Sequence, residues 1–437
     1  MSGVPRAIVL GGGLSGLCAA FRLRRAGVDV TLIESAPKLP GAADDAPLGP
    51  LPPTAPPEAP ELMGVAAELG VRKSLHRSRS GAPRVIGASL LGADRDPAAA
   101  LLGRSPAAWL RVRRLRRLLR WYAHYRDPRA PERGIRLDDR SVADFARLYL
   151  GGRAYRELFE TTLAAQLGLD GEHTSRLLAI SLLDPLGRMT LSHVVGLPSL
   201  LRSLSEHLPD VRLGTRVSSI DALGRGVRLE GGDVLAADAV VLAEPAPRAR
   251  ELLPQPSPAE QTMLGGITYR PALQLSLRLS GPRLWSGVSW IAGPAGSALA
   301  AIVDRDALLC ADPASDGHST TITLVARPAH AAATVGDSDR SLVDTLLYAA
   351  ERFVPGIRTR VVDQQLWRAA AATPGFGVGH YRAVARLREE AAASPSRRVI
   401  LAGDYLVAPH AEGAVCAGAR AAEACVAALR DETRRAS

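Results

Sequence analysis

Ala7-Ile8-Val9-Leu10-Gly11-Gly12-Gly13-Leu14-Ser15-Gly16-Leu17, followed by Val28-Asp29-Val30-Thr31-Leu32-Ile33-Glu34, is the stretch that decides the fold. Residues 7–10 form a short apolar run of the kind buried inside a parallel sheet, and the glycines after it predict a tight turn. Leu17, Ala20 and Leu23 then share one face of a helix that Gly27 stops. A second apolar strand closes on Glu34. Strand, turn, helix, strand and terminal carboxylate fall within 28 residues, the spacing of a dinucleotide site. Gly11 permits the turn, Gly13 lets backbone amides at Leu14 and Ser15 approach a pyrophosphate, and Gly16 lets the helix pack closely on the sheet. The helix start offers unpaired N–H groups and the positive end of its dipole. Glu34 is expected to accept hydrogen bonds from ribose hydroxyls and to repel a 2′-phosphate, which disfavours NADP.

The rest of the chain sets the class. At 437 residues and 47% hydrophobic content it can bury cores in two or three domains, which excludes general disorder. The net charge of +10 invites a nucleic-acid reading, but aromatics make up only 4% of the residues, too few for stacking platforms. Lys38 and Lys73 are the only lysines, so nearly all the positive charge is arginine. Cys18, Cys310, Cys416 and Cys425 are dispersed without zinc-type spacing, so no metal is expected and the thiols are expected to be reduced, in a cytoplasmic setting. The glycines within residues 7–21 and Arg22, Arg24 and Arg25 argue against a signal peptide.

Nine prolines between Pro37 and Pro60 predict a loop, and helical spacing resumes over 61–77. Residues 107–126 interleave Trp109, Leu110, Leu115, Leu118, Leu119 and Trp121 with Arg111, Arg113, Arg114, Arg116, Arg117 and Arg120, a basic amphipathic stripe. It fits attachment to an anionic membrane surface, and it equally fits a domain helix with a leucine core face and solvated arginines; RNA contact is a weaker third reading. Ser141 is expected to cap a helix whose apolar face continues through Gly151-Gly152, another helix is expected over 197–208, and 338–353 reads as a helix between Ser338 and Pro355. Val211–Leu213, Val217–Ile220, Val227–Leu229, Val234-Leu235 and Ala239–Ala243 read as strands, and 272–279 with 319–326 suggest a second sheet.

Three segments together resemble the flavin-containing amine oxidase superfamily, in particular its protoporphyrinogen oxidase and carotenoid desaturase branches. They are the opening unit ending in Glu34, Thr215–Ile220 with Ala237–Ala243, and Val399-Ile400-Leu401-Ala402-Gly403-Asp404 with Glu412-Gly413-Ala414-Val415. The resemblance implies FAD as cofactor. It implies that backbone groups of Val217 hold the adenine, that Asp404 after Gly403 bonds a ribityl hydroxyl, and that a helix starting near Gly413, with Ala414 and Val415, faces the flavin pyrimidine ring. Asp404 is also readable as an ordinary turn-capping carboxylate. Trp367 to His380 looks like a conserved-type stretch of protoporphyrinogen oxidases, while Ala-Gly-Asp-Tyr and Glu-Gly-Ala-Val lean toward the desaturases; His380 reads as structural.

There are two departures. Lys38-Leu39-Pro40-Gly41-Ala42 stands where the family carries an R-x-G-G-R loop, so its charge-assisted phosphate contacts are expected to be missing. Neither lysine lies where amine oxidases place their active-site lysine.

The expected architecture is therefore α/β: an FAD-binding doubly wound domain of the glutathione-reductase type (1–75, 195–260 and 361–437) interwoven with an α+β substrate domain (76–194 and 261–360). The expected function is removal of hydride from a large apolar substrate, best a porphyrinogen, with dioxygen or quinone as acceptor. Isoprenoid or carotenoid desaturation is the alternative within enzymes, and a catalytically silent flavin-fold scaffold is the alternative outside them. No catalytic residue is assigned. The expected partners are the substrate and the inner face of the cell membrane, through residues 107–126, and not nucleic acid.

Overall fold

The computed structural model describes residues 4–39, 48–77, 84–87, 106–123, 127, 129–183, 191–281, 283, 285–293, 297–309, 319–394 and 397–436. Cys310 and residues 40–47 of the proline-rich stretch lie outside them.

The opening unit forms as its pattern dictates: β1 (Arg6–Leu10), α1 (Leu14–Arg25) and β2 (Asp29–Ile33), with Gly27 at φ +84° after the helix. Further strands are β3 (Thr54–Ala55), β4 (His76–Arg77), β5 (Arg84–Gly87), β6 (Ser192–Val195), β7 (Asp210–Arg212), β8 (Val217–Ile220), β9 (Gly226–Leu229), β10 (Val234–Ala236) and β11 (Ala239–Leu242). They are followed by β12 (Tyr269–Ser280), β13 (Val288–Ala292), β14 (Leu299–Asp304), β15 (Ser319–Ala326), β16 (Val361–Pro374) and β17 (Val399–Leu401).

The nucleotide sheet is parallel, in the order β17-β11-β1-β2-β7. Successive side chains on a strand face opposite sides, and both sides are covered. Ile8, Leu10, Val240 and Leu242 enter one core; Ala7, Val9, Ala239 and Val241 enter the other, against α1 and the last helix, α8 (Ala411–Ala436). That double burial is why these strands read as unbroken apolar runs rather than alternating ones. Gly11 adopts φ +102°, and a Cβ there would lie 2.5 Å from the Ala243 carbonyl oxygen, so the turn requires glycine. At Gly16 a Cβ would lie 1.9 Å from the Gly11 oxygen.

The second sheet runs β16-β12-β15-β14-β13-β5, mostly antiparallel. It corrects the expected domain division at one point. β16 pairs along most of its length with β12, so residues 361–374 belong to this sheet, and the C-terminal contribution to the nucleotide sheet begins only at Val399. β8, β9 and β10 form a separate antiparallel meander, and β6 pairs with the short β3 and β4.

Two helical expectations change. The helix expected over 61–77 is α2 (Pro60–Glu68), ended by Gly70 at φ +71°, and β4 occupies 76–77. The face expected to continue past Ser141 breaks after α4 (Val142–Tyr149), because Gly151 at φ +93° turns the chain before it winds again toward α5 (Thr161–Leu167). Ser141 caps α4 as expected, its hydroxyl accepting from the Asp144 N–H. Within the proline-rich stretch, Thr54 and Ala55 form a two-residue strand against β6, short enough to fit between prolines. Residues 107–126 give α3 (Pro106–Trp121), 197–208 give α6 (Leu197–Glu206) and 338–353 give α7 (Asp339–Glu351).

Candidate active site

The C-terminal ends of β1, β2, β11 and β17 open into a cavity of about 890 Å³. Gly11, Gly13, Leu14, Ser15 and Glu34 line one part of it, and Gly403, Asp404 and Ala414 line another. Its remaining wall comes from the second sheet, with Leu273 and Gln274 of β12, Val325 and Ala326 of β15, and Trp367, Ala371 and Ala372 of β16. Turns nearly 400 residues apart in sequence meet here because β1 and β17 both flank β11.

At the start of α1 the first intrahelical acceptor bond runs from Leu17 N–H to Gly13 oxygen, so the amides before it are unused by the helix. Gly13 sits at the cap position without a side-chain partner, and the buried Ser15 hydroxyl has none either. Unused donors and an orphaned hydroxyl at a helix N-terminus are what a phosphate recruits. Glu34 is held in place: one carboxylate oxygen accepts from Gly12 N–H at 2.6 Å and the other from Ala36 N–H at 2.7 Å. A carboxylate has lone pairs beyond those two, so ribose hydroxyls still find acceptors.

Val217 lies outside this cavity. It lines a smaller one of about 140 Å³ with Thr215, Arg216 and Arg248, and the two cavities share Ser35 and Glu244 as walls. The Val217 carbonyl already accepts from the Arg248 guanidinium at 2.6 Å. Gly16, Gly413 and Val415 do not line the main cavity either. Gly16 lets α1 close on its own turn, Gly413 sits where a Cβ would be 2.1 Å from the Ala408 oxygen, and the Val415 carbonyl meets the Cys18 thiol at 3.5 Å. The last helix also begins two residues earlier than expected, at Ala411. His380 is structural: it is buried, its Nε2 bonds the Tyr405 carbonyl at 2.8 Å, and burial depresses its pKa to about 4.

Charge in the cavity is negative. Burial pushes Asp404 up to about 6. Burial, reinforced by the Glu34 carboxylate, also raises Glu244. Among the described residues no lysine or arginine lines the wall, and Lys38 is exposed. A diphosphate here meets backbone amides, the α1 dipole and Ser15 in place of a cation.

Two histidines missed from sequence complete the wall. His193 on β6 has Nδ1 at 2.6 Å from the Pro52 carbonyl. A carbonyl only accepts, so Nδ1 carries the proton and Nε2 presents a lone pair. Burial, together with the charge of Arg305, lowers its pKa and keeps the ring neutral. His410 is its opposite: Nδ1 accepts from Gly413 N–H at 3.0 Å, capping α8, so Nε2 bears the proton. Burial lowers His410 to about 4. Gln166 of α5 donates through Nε2 to the Leu191 carbonyl at 2.8 Å and leaves Oε1 without a partner.

These residues fit FAD. The α1 turn and Glu34 suit the adenosine diphosphate half, the Gly403-Asp404 turn suits the ribityl and ring half, and one cavity joins them. When bound, the flavin supplies a two-electron acceptor.

The comparisons agree with that reading. The model of the flavin containing amine oxidoreductase family matches residues 55–426, and that of an NAD(P)-binding Rossmann-like domain matches residues 9–56. A solved structure from Exiguobacterium sp. 255-15, provisionally described as a protoporphyrinogen oxidase, superposes with a TM-score of 0.70 at 20% identity, covering 98% of this chain and 100% of its own. Putrescine oxidase bound to putrescine gives 0.72 at 19%, covering 97% and 99%. Cyclohexylamine oxidase from Brevibacterium oxydans IH-35A gives 0.72 at 16%, covering 98% and 100%. At such identities these likenesses speak for the fold alone, and no curated protein matches the sequence. With the family model spanning most of its length, the chain belongs to the flavin containing amine oxidoreductase family and is an FAD-dependent oxidoreductase.

Proposed function

We propose that the enzyme oxidises a large, mainly apolar substrate bearing N–H groups, a porphyrinogen best of all, with dioxygen or a quinone as final acceptor. The carrying observation is the wall opposite the nucleotide turn: Leu273, Val325, Ala326, Ala371 and Ala372 present an apolar surface without a lysine or arginine among the described residues. Among the described residues, His193 Nε2 is the one histidine nitrogen lining the cavity that a backbone bond at the other ring nitrogen leaves as a proton acceptor. As the substrate loses hydride from carbon, the proton of its neighbouring N–H passes to His193 Nε2, and the electron pair of that bond stays on nitrogen. Amines of the kind named for the structural neighbours fit less well, since neither Lys38 nor Lys73 lines the cavity. Isoprenoid or carotenoid desaturation suits the apolar wall but gives His193 no N–H to receive.

The test is porphyrin fluorescence on incubation with protoporphyrinogen IX, with putrescine and a carotenoid precursor in parallel. Porphyrin formation above the spontaneous rate supports the proposal, and flavin reduction only by the amine or the polyene overturns it.

A further inference from the structure

We propose that the outer face of α3 docks on an anionic lipid bilayer. The helix is fastened to the protein by Leu115 and Leu119, both buried, with Leu118 and Tyr122 packed beside them. The opposite face is open. Leu110 is 59% exposed and Trp121 71% exposed. They lie eleven positions apart, about three helical turns, so they share one stripe pointing away from the buried pair, with Arg114 and Arg117 between them.

The charge on this face is unbalanced. Pro106–Trp121 contains no acidic residue. Arg111, Arg114, Arg117 and Arg120 are exposed, and none of the four forms an ion pair among the described residues. Elsewhere arginines such as Arg22, Arg147, Arg153 and Arg248 meet carboxylates. Arg114 lies over the Tyr149 ring at 4.8 Å, which steadies it at the edge of the stripe. Cations flanking an exposed tryptophan and leucine match a surface that is anionic outside and apolar beneath, where guanidinium groups meet headgroup phosphates and the two apolar side chains enter the acyl boundary. A soluble polyanion would use the arginines and leave Leu110 without a function. The net charge of +10 adds long-range attraction. Among the described residues no helix is long and apolar enough to cross a membrane, so the contact is with the surface. The inference does not depend on the substrate.

The experiment is co-sedimentation of the full FAD-loaded chain with phosphatidylcholine vesicles, with and without phosphatidylglycerol. Binding is expected only with phosphatidylglycerol and is expected to weaken with salt. Each arginine is expected to contribute about fivefold, so Arg117→Gln with Arg120→Gln lowers binding about 25-fold. Leu110→Ser with Trp121→Ser lowers it at least about tenfold. Brominated lipid is expected to quench tryptophan fluorescence in the wild type and less so in Trp121→Phe. Retained flavin absorbance and an unchanged Tm show that these surface variants fold. Failure to bind either vesicle, equal binding to phosphatidylcholine alone, or binding that survives the Leu110/Trp121 change overturns the inference. So does binding of tRNA by a protein that ignores vesicles, which assigns the patch to nucleic acid.

Discussion

Asp404→Asn is expected to make the ligand-free protein more stable and its hold on FAD weaker. Burial raises the Asp404 carboxyl from 3.8 to about 6. A group whose folded pKa is raised stabilises most below its unfolded value, and that contribution is lost as pH rises through the folded one. Near pH 7 that rise, discounted for partial exposure to the cavity, costs the ligand-free chain about 2–3 kcal/mol. Asparagine retains an oxygen for the Tyr405 N–H that bonds the carboxylate and carries no charge to desolvate. Urea unfolding is therefore expected to show a gain of about 2–3 kcal/mol for the variant at pH 7, shrinking toward zero below about pH 4. A hydrogen bond from a ribityl hydroxyl to a charged acceptor is worth about 1.5–3 kcal/mol, so the FAD dissociation constant is expected to rise about 10–100-fold. An asparagine variant no more stable than wild type at pH 7, or one that binds FAD as tightly, refutes the reasoning.

Ser15→Ala is expected to leave the unfolding free energy of the ligand-free protein within about 0.5 kcal/mol, since its hydroxyl is buried without a partner. The same change weakens FAD binding about tenfold in a fluorescence titration. Gly16→Ala forces a Cβ to within 1.9 Å of the Gly11 oxygen, and is expected to cost about 1–3 kcal/mol in urea unfolding together with most of the FAD affinity. His380 and His410 are held neutral, each lowered from 6.5 to about 4. Their contribution is complete above pH 6.5 and is lost as pH falls toward 4, about 2 kcal/mol each by pH 5. His410→Asn, which keeps a cap acceptor, is expected to lose about 2 kcal/mol less than wild type between pH 7 and pH 5.

The parts of this structure that show in the sequence are those fixed by neighbours along the chain. β1, the glycine turn, α1 and β2 announce themselves by apolar spacing and by turn chemistry within one βαβ unit, and Glu34 stands at its end. β17 shows as a buried apolar run, while Gly403-Asp404 stands out only through the family resemblance, since a Gly-Asp turn by itself also reads as an ordinary cap. Part of what did not show depends on pairing at long range. His193 reaches the cavity because β6 pairs with β3, about 140 positions earlier, and nothing near His193 in sequence indicates that. Glu244 was passed over although it directly follows the buried run 239–243, the same position that singled out Glu34 after β2. Segment order alone puts residues 361–374 beside the nucleotide domain, and only the pairing of β16 with β12 assigns them to the second sheet. His410 left a weak trace, since a polar residue just before an apolar helix marks a cap, but histidine is not among the residues that usually signal one. At Gly413 a Cβ would meet the Ala408 oxygen, a close approach that nothing near it in sequence indicates.

The central claim is directional: one cavity holds adenosine near Glu34 and the redox ring near Gly403-Asp404 and the second sheet. Photolabelling tests it most directly, with one FAD analogue carrying an azide on the flavin ring and another carrying it on the adenine, followed by peptide mass spectrometry. The ring azide is expected to label peptides from 403–414 or from β12 and β16, and the adenine azide peptides containing Glu34 or Ser35. Labels exchanged between the two ends, or both falling outside these segments, contradict the account.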